Sequence, residues 1–121
     1  MLTLPPSVRI FVATQPADMR KSFDSLAALT QQVIRQDPLS GHLFVFRSRL
    51  GDRLKILYWD RDGFCLWYKR LEEGLFHLPS VKEDHIEISV AELSMLIEGI
   101  DFSNAKRQKR FSLNRDAPST P

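Results

Sequence analysis

A single cysteine, Cys65, in 121 residues leaves no possibility of an internal disulfide, and its mid-strand position makes it a small hydrophobe rather than a nucleophile. The three histidines, His42, His77 and His85, are scattered and not at metal-ligand spacing, so no metal site is expected. There is no P-loop, dinucleotide fingerprint, nucleophile elbow or paired CxxC, which removes the common nucleotide-dependent, hydride-transfer and serine-hydrolase chemistries. No cofactor is expected, and the chain is read as not an enzyme. No apolar run approaches the roughly 20 residues of a membrane span. The opening MLTLPPSVRI has neither a basic segment nor a long apolar one, so a cytoplasmic protein is expected. Internal repeats are also missing.

What is present is ordinary globular composition, 43% hydrophobic and 26% charged, which suits one domain with a single core. The net charge of +2 is small but unevenly spread. Lys106, Arg107, Lys109, Arg110 and Arg115 face only Asp116 near the C-terminus, while Glu72, Glu73, Glu83, Asp84 and Glu87 lie closer together upstream. The expected organisation is a single domain over 1–104 and a flexible basic tail over 105–121.

The domain is organised around residues 41–74, GHLFVFRSRLGDRLKILYWDRDGFCLWYKRLEEG, which read as three strands of an antiparallel meander over 42–71. One turn falls at Arg49, Leu50, Gly51 and Asp52, and the next at Asp60, Arg61, Asp62 and Gly63, where Gly63 can take the positive φ of a hairpin. Placing Arg47 opposite Arg53 and Trp59 opposite Phe64 sorts the side chains into two faces. Phe44, Phe46, Leu54, Ile56, Tyr58, Cys65 and Trp67 form an apolar face, and Arg47, Arg53, Lys55, Tyr68 and Arg70 share the other with Val45, Leu57 and Leu66.

Around the meander, Val8, Ile10 and Val12 alternate with their neighbours as a first strand that should pair with it. Phe23, Leu26, Ala27, Thr30, Val33 and Ile34 mark one side of a helix over about 19–36, N-capped by Asp18 or Ser22 and stopped by Asp37-Pro38. Its stripe should bury Phe44, Ile56 and Trp67. Leu75 to Leu78 reads as a short edge strand or an extended loop, and Ile86 to Ile88 as another strand. Ser89-Val90-Ala91-Glu92 spells a capping box that opens a short helix over about 90–98, with Gly99 near its C-cap. The fold class is therefore α+β: an antiparallel sheet of four to five strands, one helix packed on a face and a short C-terminal helix.

Two groups of residues could carry chemistry. Asp52, Asp60 and Asp62 sit in turns, where aspartate is the usual structural choice because its side chain bonds nearby amides; a magnesium site is the alternative. The cationic face of Arg47, Arg53, Lys55 and Arg70, with Tyr68 among them, is either a solvated face paired with Glu72, Glu73 or Asp52, or a nucleic-acid surface. In the second case guanidinium groups hold phosphates and the ring stacks on a base. Arg20 and Lys21, at the unfavourable end of the first helix for cations, are neutralised by Asp18 and Asp24 or hold an anion such as a phosphate. Replacing Arg53 and Lys55 together by alanine should then weaken DNA binding and leave the fold intact. A protein-docking face anchored by Trp59, Leu57 and Leu66 is the competing expectation.

Three stretches carry a resemblance: DMRKSFDSLAAL at 18–29, GHLFVFRSRLGDRLKILYWDRDGFCLWYKRLEEGLF at 41–76 and LSMLIEGID at 93–101. Together they resemble the small accessory proteins, called TnpB, encoded by the second reading frame of the insertion sequence 66 family of bacterial transposable elements. These are unrelated to the RNA-guided nucleases that share the label. The chain departs from that pattern at Ser22, Ser25 and Ser48, where glycine is usual, at Leu50, where arginine is common, and in lacking a tryptophan before Pro79. The resemblance implies a part in DNA transposition beside a separate, larger transposase that carries the catalytic carboxylates, with another accessory subunit as a further partner. It assigns no catalytic residue. DNA, in particular the transposon ends, is the expected ligand of Arg47, Arg53, Lys55, Tyr68, Arg70, Arg20 and Lys21.

Overall fold

The structure is a computed structural model that describes residues 4–102; the basic segment 105–121 lies outside the described residues. Five strands form one sheet: β1 (Ile10–Ala13), β2 (Leu43–Arg47), β3 (Arg53–Asp60), β4 (Gly63–Arg70) and β5 (His85–Ile88), in the order β4-β3-β2-β1-β5. The expected meander is β2-β3-β4, antiparallel throughout. The sheet as a whole is mixed, because β1 pairs with β2 in parallel and with β5 antiparallel. Parallel neighbours need a crossover, and α1 (Phe23–Leu29) with the π-helical turn that continues it (Thr30–Ile34) supplies one. A short α2 (Val90–Ile97) follows β5, so the fold is α+β as the sequence implies.

The first helix is shorter than the 19–36 expected. Asp18 accepts hydrogen bonds from the Arg20 amide and guanidinium, which holds 18–22 as a loop, and the helix starts only after Ser22. Arg35 then ends it in the left-handed region at φ 60°, its amide donating to the Thr30 carbonyl. For α2 the capping box forms in full: Glu92 N donates to Ser89 Oγ at 3.1 Å, and Ser89 N donates to Glu92 Oε1 at 2.9 Å. Gly99, at φ 76°, provides the left-handed residue just past the helix. The 75–78 stretch runs as an extended loop.

Register is where the molecule departs most from expectation. Arg47 lies opposite Leu54, not Arg53, while Trp59 does lie opposite Phe64. The cause is Ser48. Its backbone N–H donates to the Arg53 carbonyl at 2.9 Å, its hydroxyl accepts from the Arg53 amide at 3.0 Å, and the same hydroxyl meets Asp52 Oδ1 at 3.2 Å. Ser48 is thus the last paired residue before a tight turn closed by Gly51 at φ 84°. In the second turn the left-handed residue is Arg61, at φ 56°, rather than Gly63, because Gly63 is already paired with Asp60.

A slip of one residue exchanges faces. Leu43, Val45, Leu54 and Ile56 pack with Ile10, Val12, Ile88, Leu93, Leu96, Phe76 and Phe102, with Trp67 and Tyr58 beside them. Phe44, Phe46 and Leu57 pack on the other side with Phe11, Ala13, Ala17, Leu26 and Ile34. Helix α1 therefore covers the Phe44 side, whereas Ile56 and Trp67 belong to the layer under α2. Both faces of the central strands are covered, which is why β2 reads as an unbroken apolar run rather than an alternating one.

Candidate nucleic-acid interface

The slip splits the expected cationic face. Arg47 projects to the α2 side, half-buried, and donates from Nη1 to the Phe76 carbonyl at 3.0 Å. Burial pulls its proton affinity below the ordinary guanidinium value. It fixes the 71–81 loop and is not part of an open surface with the others.

Lys55 is on the expected face but only 6% exposed. Its ammonium donates to the carbonyls of Met19 and Lys21, each at 2.7 Å, and lies 4.7 Å from the centre of the Tyr68 ring. A lysine so engaged is a clamp that holds the loop before α1 on the sheet. Charge-assisted bonds of this kind are worth about 1.5–3 kcal/mol each. The expectation that Arg53 and Lys55 can be removed together without harm to the fold is therefore corrected for Lys55.

What remains together is a group at the end of β3 and β4 nearest the first turn. Arg53 lies directly opposite Arg70 and Lys55 opposite Tyr68. Arg53 Nη1 reaches the Tyr68 hydroxyl at 3.4 Å, and Tyr68 is 48% exposed. Arg70 donates to Glu72 Oε1 at 3.0 Å, an exposed pair that raises the arginine's proton affinity. Arg53, Tyr68, Arg70 and Glu72 line one shallow recess. A second recess, of about 470 Å³, lies between the 16–19 loop and the first turn, and Arg53 borders both. Arg49 borders the second; it is exposed, and sequence reasoning passed over it because a turn arginine carries no periodic signal.

Arg20 and Lys21 are brought next to this group by the Lys55 clamp on their own loop. Arg20 is engaged by Asp18 at 2.6 Å, an arrangement that holds the Asp18 carboxyl well below the usual carboxylate range. None of the ion pairs among the described residues involves Arg49, Arg53 or Lys21.

The other candidate groups do not assemble. Asp52 is at one end of β3 and Asp60 and Asp62 are at the other, a strand of eight residues apart, on the order of 25 Å. Asp52 is committed to the first turn through Ser48. Among the described residues no cluster of three metal-ligating side chains occurs. Of the proposed docking anchors, Leu57 is wholly buried and Leu66 packs against the α1-side core. Trp59 sits edge-to-face on Phe64 at 5.1 Å. The three therefore do not form an exposed apolar patch. No helix of the described residues is long and apolar enough to cross a membrane.

Residues 8–107 match the family model described as IS66 Orf2 like protein. Two proteins of Sinorhizobium fredii are similar along most of their length. Uncharacterized protein y4hO is 44% identical over 110 residues, covering 91% of this chain and 96% of the relative. Uncharacterized protein y4jC is 43% identical over 101 residues, covering 84% and 86%. No solved structure matches.

Proposed function

Since this chain belongs to the IS66 Orf2-like family, and so to the transposition-associated accessory proteins of an insertion sequence, we propose that it is a non-catalytic factor that holds the element's DNA. Arg53 and Arg70 are the primary phosphate contacts. Arg49 extends the surface on one side, and Arg20 and Lys21 extend it on the other. Lys55 acts from below by fixing the loop that carries the last two.

The observation that carries this reading is the Arg53–Arg70 cross-strand pair. Like charges directly opposite each other in an antiparallel sheet oppose folding. Glu72 bonds only Arg70, and a phosphodiester backbone would supply further anions along a line, which matches two strand ends followed by a loop. The recognition is of backbone charge, and the transposase and the further accessory subunit are the partners with which such a DNA-bound factor would work.

The test is a binding titration of transposon-end and scrambled duplex DNA at several salt concentrations. Three to five phosphate contacts give a slope of roughly −3 to −5 in log K against log salt. Binding that is independent of salt, or that requires the transposase, would instead support a protein adapter that docks on the transposase without touching DNA.

A further inference from the structure

The recess between the 16–19 loop and the first turn has a lining unlike that of a surface built only for phosphates. Pro16, Ala17, Met19 and Leu50 give it apolar walls, and Arg49 and Arg53 stand at its border. We infer that this recess receives a single unpaired nucleotide of a DNA strand, its base between the apolar walls and its phosphate on Arg49 and Arg53. The inference rests on the DNA-binding reading above and adds to it a preference for unpaired DNA.

Size and chemistry both fit. The space, about 470 Å³, falls within the range of roughly 300–1,000 Å³ found for small-molecule sites. A base inside a duplex hides its faces in the stack and offers only its edges. Apolar walls are therefore useful to a base only after it has left the stack. Of the two carboxylates that border the recess, Asp18 is paired with Arg20. Asp52 keeps its charge, with Oδ1 accepting from the Ser48 hydroxyl, so the phosphate is held on the Arg49 and Arg53 side, where two cations outnumber it.

Both walls are fixed before any ligand arrives. On one side, Ala17 N donates to the Arg47 carbonyl at 2.9 Å, and Lys55 clamps the carbonyls of Met19 and Lys21. On the other, Phe76 N donates to the Gly51 carbonyl and Leu71 N to the Asp52 carbonyl, each at 2.8 Å. A preformed site avoids the ordering cost that a collapsing loop would impose. Arg53 also borders the recess that contains Tyr68, so a strand leaving the first site passes directly to an exposed ring on which its next base can stack.

The experiment is fluorescence anisotropy with the full chain and two labelled ligands, a 12-nucleotide single strand and the blunt duplex of the same sequence, at one fixed salt concentration. The single strand should bind at least tenfold more tightly. Leu50→Ser removes an apolar wall at a residue that is 77% exposed, so the fold is spared. It should weaken single-strand binding at least threefold and leave the duplex unchanged. Equal affinity for the two ligands, or a Leu50→Ser variant that binds single strand as the parent does, overturns the unpaired-nucleotide inference while the DNA-binding reading stands. Failure to bind either ligand overturns both.

Discussion

The two edges of this sheet treat charge in opposite ways. At the β5 edge, arginines are matched to carboxylates: Arg9 to Glu87 at 2.6 Å and Arg35 to Asp84 at 2.9 Å, with His85 Nδ1 also 2.8 Å from Asp84. At the β3–β4 end, Arg53 stands opposite Arg70; Glu72, 79% exposed, bonds only Arg70, and Asp52 acts on Arg70 through space without forming an ion pair with either arginine. The first arrangement serves the fold. The second sets two like charges against each other across the sheet, and the proposed DNA contact gives that contrast a testable meaning.

The sharpest way to separate the two roles within the cationic end is Lys55→Ala. Two carbonyls lose a buried charged donor, and the expected loss of stability is about 3 kcal/mol, read as a fall in the urea midpoint. DNA binding should fall only as far as unfolding and loosening of the 18–22 loop require. If Lys55→Ala is as stable as the parent, the clamp is not one.

Next in size is the paired variant Arg53→Ala with Arg70→Ala. It should fold at least as stably as the parent, and its DNA-binding salt slope should shrink by about 2, one for each phosphate that is no longer neutralised. Arg53→Glu sharpens the same point. It turns a like-charged cross-strand pair into an opposite one, so the urea midpoint should rise at low salt and the gain should fade as salt screens it, while DNA binding is lost. A midpoint that falls instead would mean that the opposed arginines do not repel in the native sheet.

The smallest effects belong to the β5 edge. Arg9→Ala should lower the midpoint slightly, because exposed ion pairs contribute little, and should leave DNA binding untouched. Acid should act there too. Arg35, and then His85, pull the Asp84 carboxyl from 3.8 down to about 2. Its folded value lies below its unfolded one, so this contribution is complete above about pH 4 and is lost as pH falls towards 2. Relative to the intrinsic exchange rate, hydrogen exchange in β5 should quicken across that window, and Asp84→Asn should reduce this pH dependence to the part contributed by Glu87, whose carboxyl Arg9 also pulls down.

Most of the architecture was legible in the sequence because its signals are local. The meander follows from apolar runs broken at Gly51 and Gly63, and α2 follows from the Ser89–Glu92 capping box. The parallel β1–β2 pairing was not, since no short-range pattern distinguishes a strand that pairs through a crossover. The face assignment turned on one hydroxyl. Ser48, four residues before Asp52, was the available sign that the turn closes one residue later than supposed, and it moved Arg47 to the far side. Lys55 was illegible for a different reason: its partners are carbonyls more than 30 residues away, which no side-chain pattern encodes. That Arg53, Tyr68 and Arg70 share a face was legible because cross-strand register in β3–β4 is fixed by a two-residue hairpin, the most local of signals.

The measurement that bears most directly on the contrast between the edges is a salt titration of DNA affinity for three proteins: the parent, the Arg53→Ala/Arg70→Ala variant and Arg9→Ala. The parent and Arg9→Ala should share a slope of at least about −3, with the double variant nearer −1. Three parallel lines, or a parent whose binding ignores salt, would contradict the assignment of the β3–β4 end to DNA.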